Sequence, residues 1–221
     1  MQRLTRDRSH CRFDAGIPPV LDILPGDEVV VETWDSRRGT IRTEVDLFPA
    51  GPPDPGQLNP ATGPIRVTGA EPGDVLAVRI KEIALGPQGQ VPVSPYMGVV
   101  RQGIHRARFT LCRVMGDEVV FGRTGIRFPV RPMVGVIGVA PAGGGVATIH
   151  MGPHGGNMDH NDVAPGTVVY LPVFVPGALL SLGDVHASMG DGETTGGGID
   201  IPAEVTIGVS LVKGHTIRRP I

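Results

Sequence analysis

Cysteine, tryptophan and tyrosine are scarce in this chain: two Cys, one Trp and two Tyr among 221 residues. Cys11 and Cys112 are too few for a disulfide framework, and Cys112, in the apolar run FTLCRV, reads as a buried strand residue and not a nucleophile. Strong charge of either sign is lacking as well. Twenty Lys and Arg against 22 Asp and Glu leave a net charge of -2, so no basic field favours nucleic acid as a partner. No apolar stretch approaches the roughly 18 residues of a membrane-spanning helix. The opening MQRLTRDRSHCRFDAG has no apolar core of a secretory signal, which makes the cytoplasm the expected location and a membrane an unexpected partner.

Long helical periodicity is also missing. Glycine and proline are abundant instead, 33 and 22 residues, and they alternate with runs such as DEVVVETW, GDVLAVRIKEIAL, MVGVIGVA, TVVYLPVFV and AEVTIGVSLV. Such β-branched runs between turn residues predict strands. A Pro-Gly pair opens four of the runs, at Pro25-Gly26, Pro72-Gly73, Pro165-Gly166 and Pro176-Gly177. Proline presets the first central position of a turn and glycine accepts a positive φ at the second, so each pair should launch a strand. The expected class is mainly β: antiparallel, sandwich-like packed sheets with Gly/Pro-rich turns and little helix. Residues 1–221 are read as one domain, with an N-terminal β subregion at 1–64 ending in the proline-rich loop 49–64, and a site region at 132–212.

That site region is defined by another absence. From Pro132 to Val212 there is no Lys or Arg, yet Asp159, Asp162, Asp184, Asp191, Glu193, Asp200 and Glu204 lie there, with His150, His154, His160 and His186. Carboxylates drawn out of water need a partner: a metal, backbone N–H groups, or cations from elsewhere in the chain. In a strand ALLSLGDVH, Asp184 and His186 are two apart and share a face. The loop ASMGDGETTGGGID repeats the spacing with Asp191 and Glu193, and its glycines let it fold back on the strand. Oxygen and nitrogen donors without nearby Cys suit a divalent cation, zinc or another borderline first-row metal, with calcium as the hard-ion alternative. Upstream, HMGPHGGNMD sets His154, Asn157 and Asp159 around Gly155 and Gly156, whose backbone N–H groups suit an oxyanion. The bland reading of that run is a glycine-rich turn whose Asn and Asp cap their own backbone. His160 reads as surface. Glu44 and Asp46, in IRTEVDLF, read as a solvated edge strand, with completion of a metal shell as the alternative; Trp34 reads as core and Arg37-Arg38 as surface.

The strings GPHGGNMD and PGTVVYLPVFVPGALLSLGDVHASMGDGE, with NPATGPIRVTGAEPGDVLAV and RPMVGVIGVAP upstream, resemble the acetamidase/formamidase family over roughly residues 20 to 210. The resemblance implies hydrolysis of a small linear amide to carboxylate and ammonia, on a β-rich fold and in a homo-oligomer. The family's Gly-Gly-Asn-Met-Asp falls on residues 155 to 159, its Gly-Asp-x-His on Gly183, Asp184 and His186, and its Gly-Asp-Gly-Glu on Gly190 to Glu193. Two departures stand out. Asp200 replaces a glutamate common after the Thr-Gly stretch, and a helix-rich C-terminal section of relatives has no counterpart, so a separate chain supplying it is an expected partner in the alternative reading of a noncatalytic ligand- or metal-binding subunit. No Gly-x-Ser-x-Gly elbow is present, and metal-activated water is the expected nucleophile. In the expected site Asp184, His186, Asp159 and His154 hold the metal, Glu193 and Asp191 carry the proton chemistry, and Asn157 with the Gly155 and Gly156 amides binds the substrate carbonyl.

Overall fold

The structure, a computed structural model, describes residues 1–47 and 54–221, apart from the side chains of Glu44 and Leu47. A five-stranded sheet runs in the order Gln2–Leu4, Glu28–Thr33, Ala203–Val212, Val75–Leu85, Val168–Pro172. A seven-stranded sheet runs Met151–Gly152, Gly155–Asn157, Met133–Gly138, Leu180–His186, Ala61–Val67, Ser9–His10, with Leu21–Ile23 also paired to Ala61–Val67. A four-stranded sheet, Ile126–Pro129, Glu118–Phe121, Arg108–Met115 and Gln88–Val93, joins them. Pairing is antiparallel except where Gln2–Leu4 and Leu21–Ile23 join their neighbours in parallel. Among the described residues the helical elements are two short 3-10 turns, and no helix is long and apolar enough to cross a membrane.

All four Pro-Gly pairs do what the turn chemistry predicts. Gly26, Gly73, Gly166 and Gly177 have φ of 101°, 95°, 96° and 80°, and strands begin shortly after each. Val31, Val78 and Ile207 from the five-stranded sheet meet Ile65, Val134 and Leu182 from the seven-stranded one in a single buried cluster, which makes the two sheets a sandwich. Each such side chain contributes about 1.5–3 kcal/mol by leaving water. Cys112 belongs to the same cluster, as its apolar run predicts.

One irregularity creates the site. In a regular strand Leu180, Leu182, Asp184 and His186 would share a face, and the core would receive two ionisable groups. Asp184 instead takes φ 50°. The alternation shifts there, so that Leu180 and Leu182, then Val185 and Ala187, enter the core while Asp184 and His186 line a cavity on the other side. The facing strand shifts at the same level, with Val134 and Ile137 both in the core and Gly135 between them opposite Asp184. A Cβ at Gly135 would lie 2.5 Å from Asp159 Oδ1 and 2.7 Å from the Asp184 carbonyl oxygen, so the site reads glycine there for want of space.

Three expectations change. Glu44 and Asp46 lie on no edge strand: Glu44–Leu47 is a 3-10 turn, because Asp46 Oδ2 accepts from the Arg42 and Thr43 amides at 3.0 and 2.8 Å. Of the loop 49–64, residues 49–53 lie outside the described residues, Pro55–Gln57 is a 3-10 turn capped by Asp54, and from Ala61 onward the chain is a buried central strand. Trp34 is only half-buried, with the Arg6 guanidinium 4.1 Å over its ring.

Candidate active site

The residues Ile199 to Ile201 run back along the Leu180–His186 strand, Ala187 donating to Ile199 O and Ile201 to Val185 O, both at 2.9 Å. Asp200 is thereby bridged to His186 on one side and Gln90 on the other. The glycines before it make the approach possible, since a Cβ at Gly198 would sit 2.6 Å from His186 Nδ1. The outcome is a cavity of about 260 Å³ lined by Asp159, Asp184, His186, Glu193 and Asp200, by Asn59, Asn157, Ser36 and Arg37, and by the apolar Leu58, Pro92, Met97 and Ile149.

The imidazole of His186 is the hub. Its Nε2 is 3.4 Å from Asp200 Oδ1 and 3.7 Å from Asp184 Oδ1, and its Nδ1 is 3.9 Å from Glu193 Oε1 and 3.3 Å from Met189 Sδ. Asp184 and Asp200 are each held at one oxygen and bare at the other. Asp184 Oδ2 accepts from Asn59 Nδ2 at 2.6 Å, and Asp200 Oδ2 accepts from Ser36 Oγ and from Gln90 Nε2 at 2.9 Å. Asp184 Oδ1, Asp200 Oδ1 and Asp159 Oδ1 are buried without a hydrogen-bond partner. Such atoms carry a desolvation cost that a cation would remove. Asp184, His186 and Asp200 form one triad with ligand atoms within 4.8 Å of one another, and Asp159, His186 and Glu193 form a second. The donor set is oxygen and imidazole nitrogen, the chemistry of a divalent cation.

Electrostatics say the same. Burial opposes charge on His186, but Asp184, Asp200 and Asp159 outweigh it and raise its pKa to about 10. Burial, then the Asp184 charge, pushes Asp159 up to about 8 and Asp200 up to about 7; burial raises Glu193 as well. These groups resist sharing the space as anions, and protons fill the role of the missing positive charge. Backbone strain gathers here too. Asn59, Asp159, Asp184 and Glu193 have φ of 48°, 42°, 50° and 40°, and all four line the cavity. Positive φ in non-glycine residues persists where surrounding structure over-determines it, commonly at functional sites.

Of the nine residues expected at the site, five line the cavity and four do not. Asp184, His186, Asp159, Glu193 and Asn157 are brought together. Asp191 is not: it is exposed, and its Oδ1 accepts from Asn161 Nδ2 at 2.7 Å, because the turn that aims Glu193 inward leaves the residue two earlier at the surface. His154 is buried against the Phe13 ring, centroids 5.1 Å apart, and lies outside both triads and the cavity lining. Gly155 and Gly156, with φ of 96° and 95°, are also outside the lining. Their missing side chains make room for backbone, Ile137 O and His150 O, not for a ligand. Of the remaining acids, Asp162 is exposed and Glu204 pairs with Arg3 at 2.8 Å.

Ser36, Asn59 and Gln90 enter the site unannounced, and Arg37, expected at the surface, lines the cavity with its guanidinium 5.2 Å over the Phe109 ring. Burial lowers the Arg37 pKa against the pull of Asp200, Asp35 and Asp184. Lone Ser, Asn and Gln in a sequence carry no signal of this kind. The αL backbone of Asn59, after a proline-rich loop, is the nearest thing to one.

The model of the Acetamidase/Formamidase family matches residues 2–144 and 142–221. A formamidase from Methylophilus methylotrophus is 26% identical, with 96% of this chain and 67% of that protein covered. The alignment spans 281 positions against the 221 residues of the chain, so the relative carries additional residues inside the matched region. The chain spans about two thirds of the length of the curated relatives it matches, 67%, 64% and 66%. Among solved structures, an acetamidase from Bacillus halodurans is 39% identical with a TM-score of 0.92, covering 99% of this chain and 74% of that one. A predicted acetamidase/formamidase from Thermoanaerobacter tengcongensis is 38% identical with a TM-score of 0.94, covering 99% and 72%. Matched over nearly its whole length by the family model and superposed on two such folds, this chain belongs to the acetamidase/formamidase family.

Proposed function

We propose that this chain hydrolyses short linear amides, of the formamide and acetamide type, to the carboxylate and ammonia. The observation that carries the reading is the convergence of four carboxylates on the buried imidazole of His186, three of them with a bare buried oxygen, in a cavity of about 260 Å³. The relatives' names, formamidase and acetamidase, give the bond class.

Asp184, Asp200 and His186 Nε2 are the residues suited to hold a divalent cation, zinc by choice of donors, since both bare Oδ1 atoms face the same ring nitrogen. When bound, the ion would neutralise these carboxylates and polarise water and carbonyl. Ser36, Gln90 and Asn59 each occupy the opposite carboxylate oxygen and fix its direction. Asp159 and Glu193 offer carboxylate oxygens within 4.8 Å of one another and are both raised in pKa by burial, so the two are placed to share a proton. That pair suits taking a proton from the attacking water and returning it to the departing nitrogen. Leu58, Pro92, Met97 and Ile149 leave room for a short apolar acyl group beside it.

Ammonia release by the purified chain from formamide, acetamide and a longer amide tests the reading. Chelation should abolish it, and Glu193→Gln should lower kcat by roughly 10²–10⁴. Rates indifferent to both treatments would dispose of the scheme. Release only upon addition of a second polypeptide would favour the noncatalytic subunit, a reading motivated by the chain's length relative to its relatives.

A further inference from the structure

Amide hydrolysis needs a donor for the carbonyl oxygen, and of the three residues that the sequence offers for that task only Asn157 lines the cavity. Gly155 and Gly156 are packed against backbone outside the cavity. Ser36 and Asn59 spend their protons on Asp200, Asp184 and Asn157. Among the described residues lining the cavity, the guanidinium of Arg37 makes no hydrogen bond or ion pair, although Asp200, Asp35 and Asp184 are near enough to act on its charge. Asp200 and Asp184 accept at Oδ2 from the Ser36, Gln90 and Asn59 side chains, and Asp35 Oδ1 accepts from the amides of Arg37 and Gly39 at 2.8 and 2.9 Å. Phe109, 5% exposed, places its ring 5.2 Å from the guanidinium carbon and packs against the cation. A free, oriented cation is therefore kept in a site otherwise dominated by acids. Asn157 beside it uses its Oδ1 to accept from Asn59 at 3.1 Å, which directs its amide nitrogen elsewhere.

We infer that Arg37, with the Asn157 amide nitrogen, is the donor that receives the substrate's carbonyl oxygen and stabilises the oxyanion formed on it. The inference rests on the amide-hydrolase reading of the same cavity. As the water oxygen bonds to the carbonyl carbon, the π electron pair moves onto the carbonyl oxygen and the water proton passes to the Glu193–Asp159 pair. The carbonyl then re-forms, the C–N bond breaks, and the nitrogen leaves with that proton as ammonia. A preorganised charged donor at that oxygen acts on the transition state more than on the neutral amide.

Arg37→Ala should lower kcat on acetamide by roughly 10²–10³ with a smaller change in KM. Millimolar guanidinium should restore part of the rate, and Arg37→Lys should lose less, while bound metal and melting temperature stay at wild-type values. An unchanged kcat, or a loss that tracks lost metal and resists guanidinium, overturns the assignment. Acetate binding by calorimetry on the metal-loaded proteins separates this from failure of the hydrolase reading itself. If the wild-type chain releases no ammonia, the reading fails, but Arg37 still stands if acetate binds the wild type and not Arg37→Ala; equal binding by both sinks it.

Discussion

The carboxylates of this chain fall into two populations. On the surface, Asp22, Glu28, Glu118 and Glu204 each sit within 3.0 Å of an Arg or Lys nitrogen, and all are more than 40% exposed at the side chain. In the cavity, Asp184 and Asp200 are almost fully buried and Asp159 and Glu193 largely so, with no such ion pair. The paired cations stand where they matter least. A solvated pair contributes little because water already screens both charges, whereas the buried acids repel one another at short range in a poorly screened space. Surface acids are thus part of the fold's solubility, and the buried ones are a cost that the fold carries until a ligand offsets it.

The comparison breaks most visibly at Asp159. Asp159→Asn should reduce metal-dependent amide hydrolysis by 100-fold or more, on the order of the loss of a proton-transfer group. The metal-free protein should lose no stability, and should melt higher at alkaline pH, because a repelled anion with an unpartnered oxygen has been removed. A metal-free Asp159→Asn that melts well below wild type at pH 9 would show that the acids are not in conflict.

A pH series on metal-free protein is the next test. Asp159 and Asp200 have folded pKa values raised to about 8 and about 7 from 3.8. The folded state therefore binds more protons than the unfolded one between about pH 4 and pH 8. Stability from these two groups is fully present below their unfolded pKa and is lost as pH rises through the folded values. The melting temperature of the chelated protein should fall across that window. Loading the metal should flatten the fall and release protons, since the ion replaces them. A chelated protein that is as stable at pH 8 as at pH 5 would contradict the crowding of charge.

The same contrast explains what could be read in advance. Strands were legible because each Pro-Gly pair and β-branched run acts locally; Ala203–Val212 even begins and ends with its apolar run. Asp184 and His186 were legible as partners, though the sequence did not show the φ of 50° that turns them away from the core. Asp191 and Glu193 look equivalent two residues apart, and only the closed turn decides which one faces Asn161 and which faces His186. Ser36, Arg37, Asn59 and Gln90 were illegible because sheet topology, not spacing, carries them to the acids. Ordinary polar residues become site residues when a strand order sets them beside residues more than 90 positions away.

The smallest effect belongs to the exposed population. Arg66 Nε and Nη2 donate to Asp22 Oδ1 and Oδ2 at 2.7 and 2.6 Å, and the two residues face each other across the parallel pairing of Leu21–Ile23 with Ala61–Val67. The geometry is two-pronged, yet both side chains are half exposed, 51% and 54%. Asp22→Asn should therefore cost little, and less at high salt. Arg66→Ala should cost more than Asp22→Asn, because the stem of Arg66 also covers Gly177, where a Cβ would lie 2.6 Å from its Cγ. If denaturant melts in low and high salt give Asp22→Asn the larger loss, charge and not apolar cover holds this edge, and the division between surface and buried acids is less sharp than the geometry makes it.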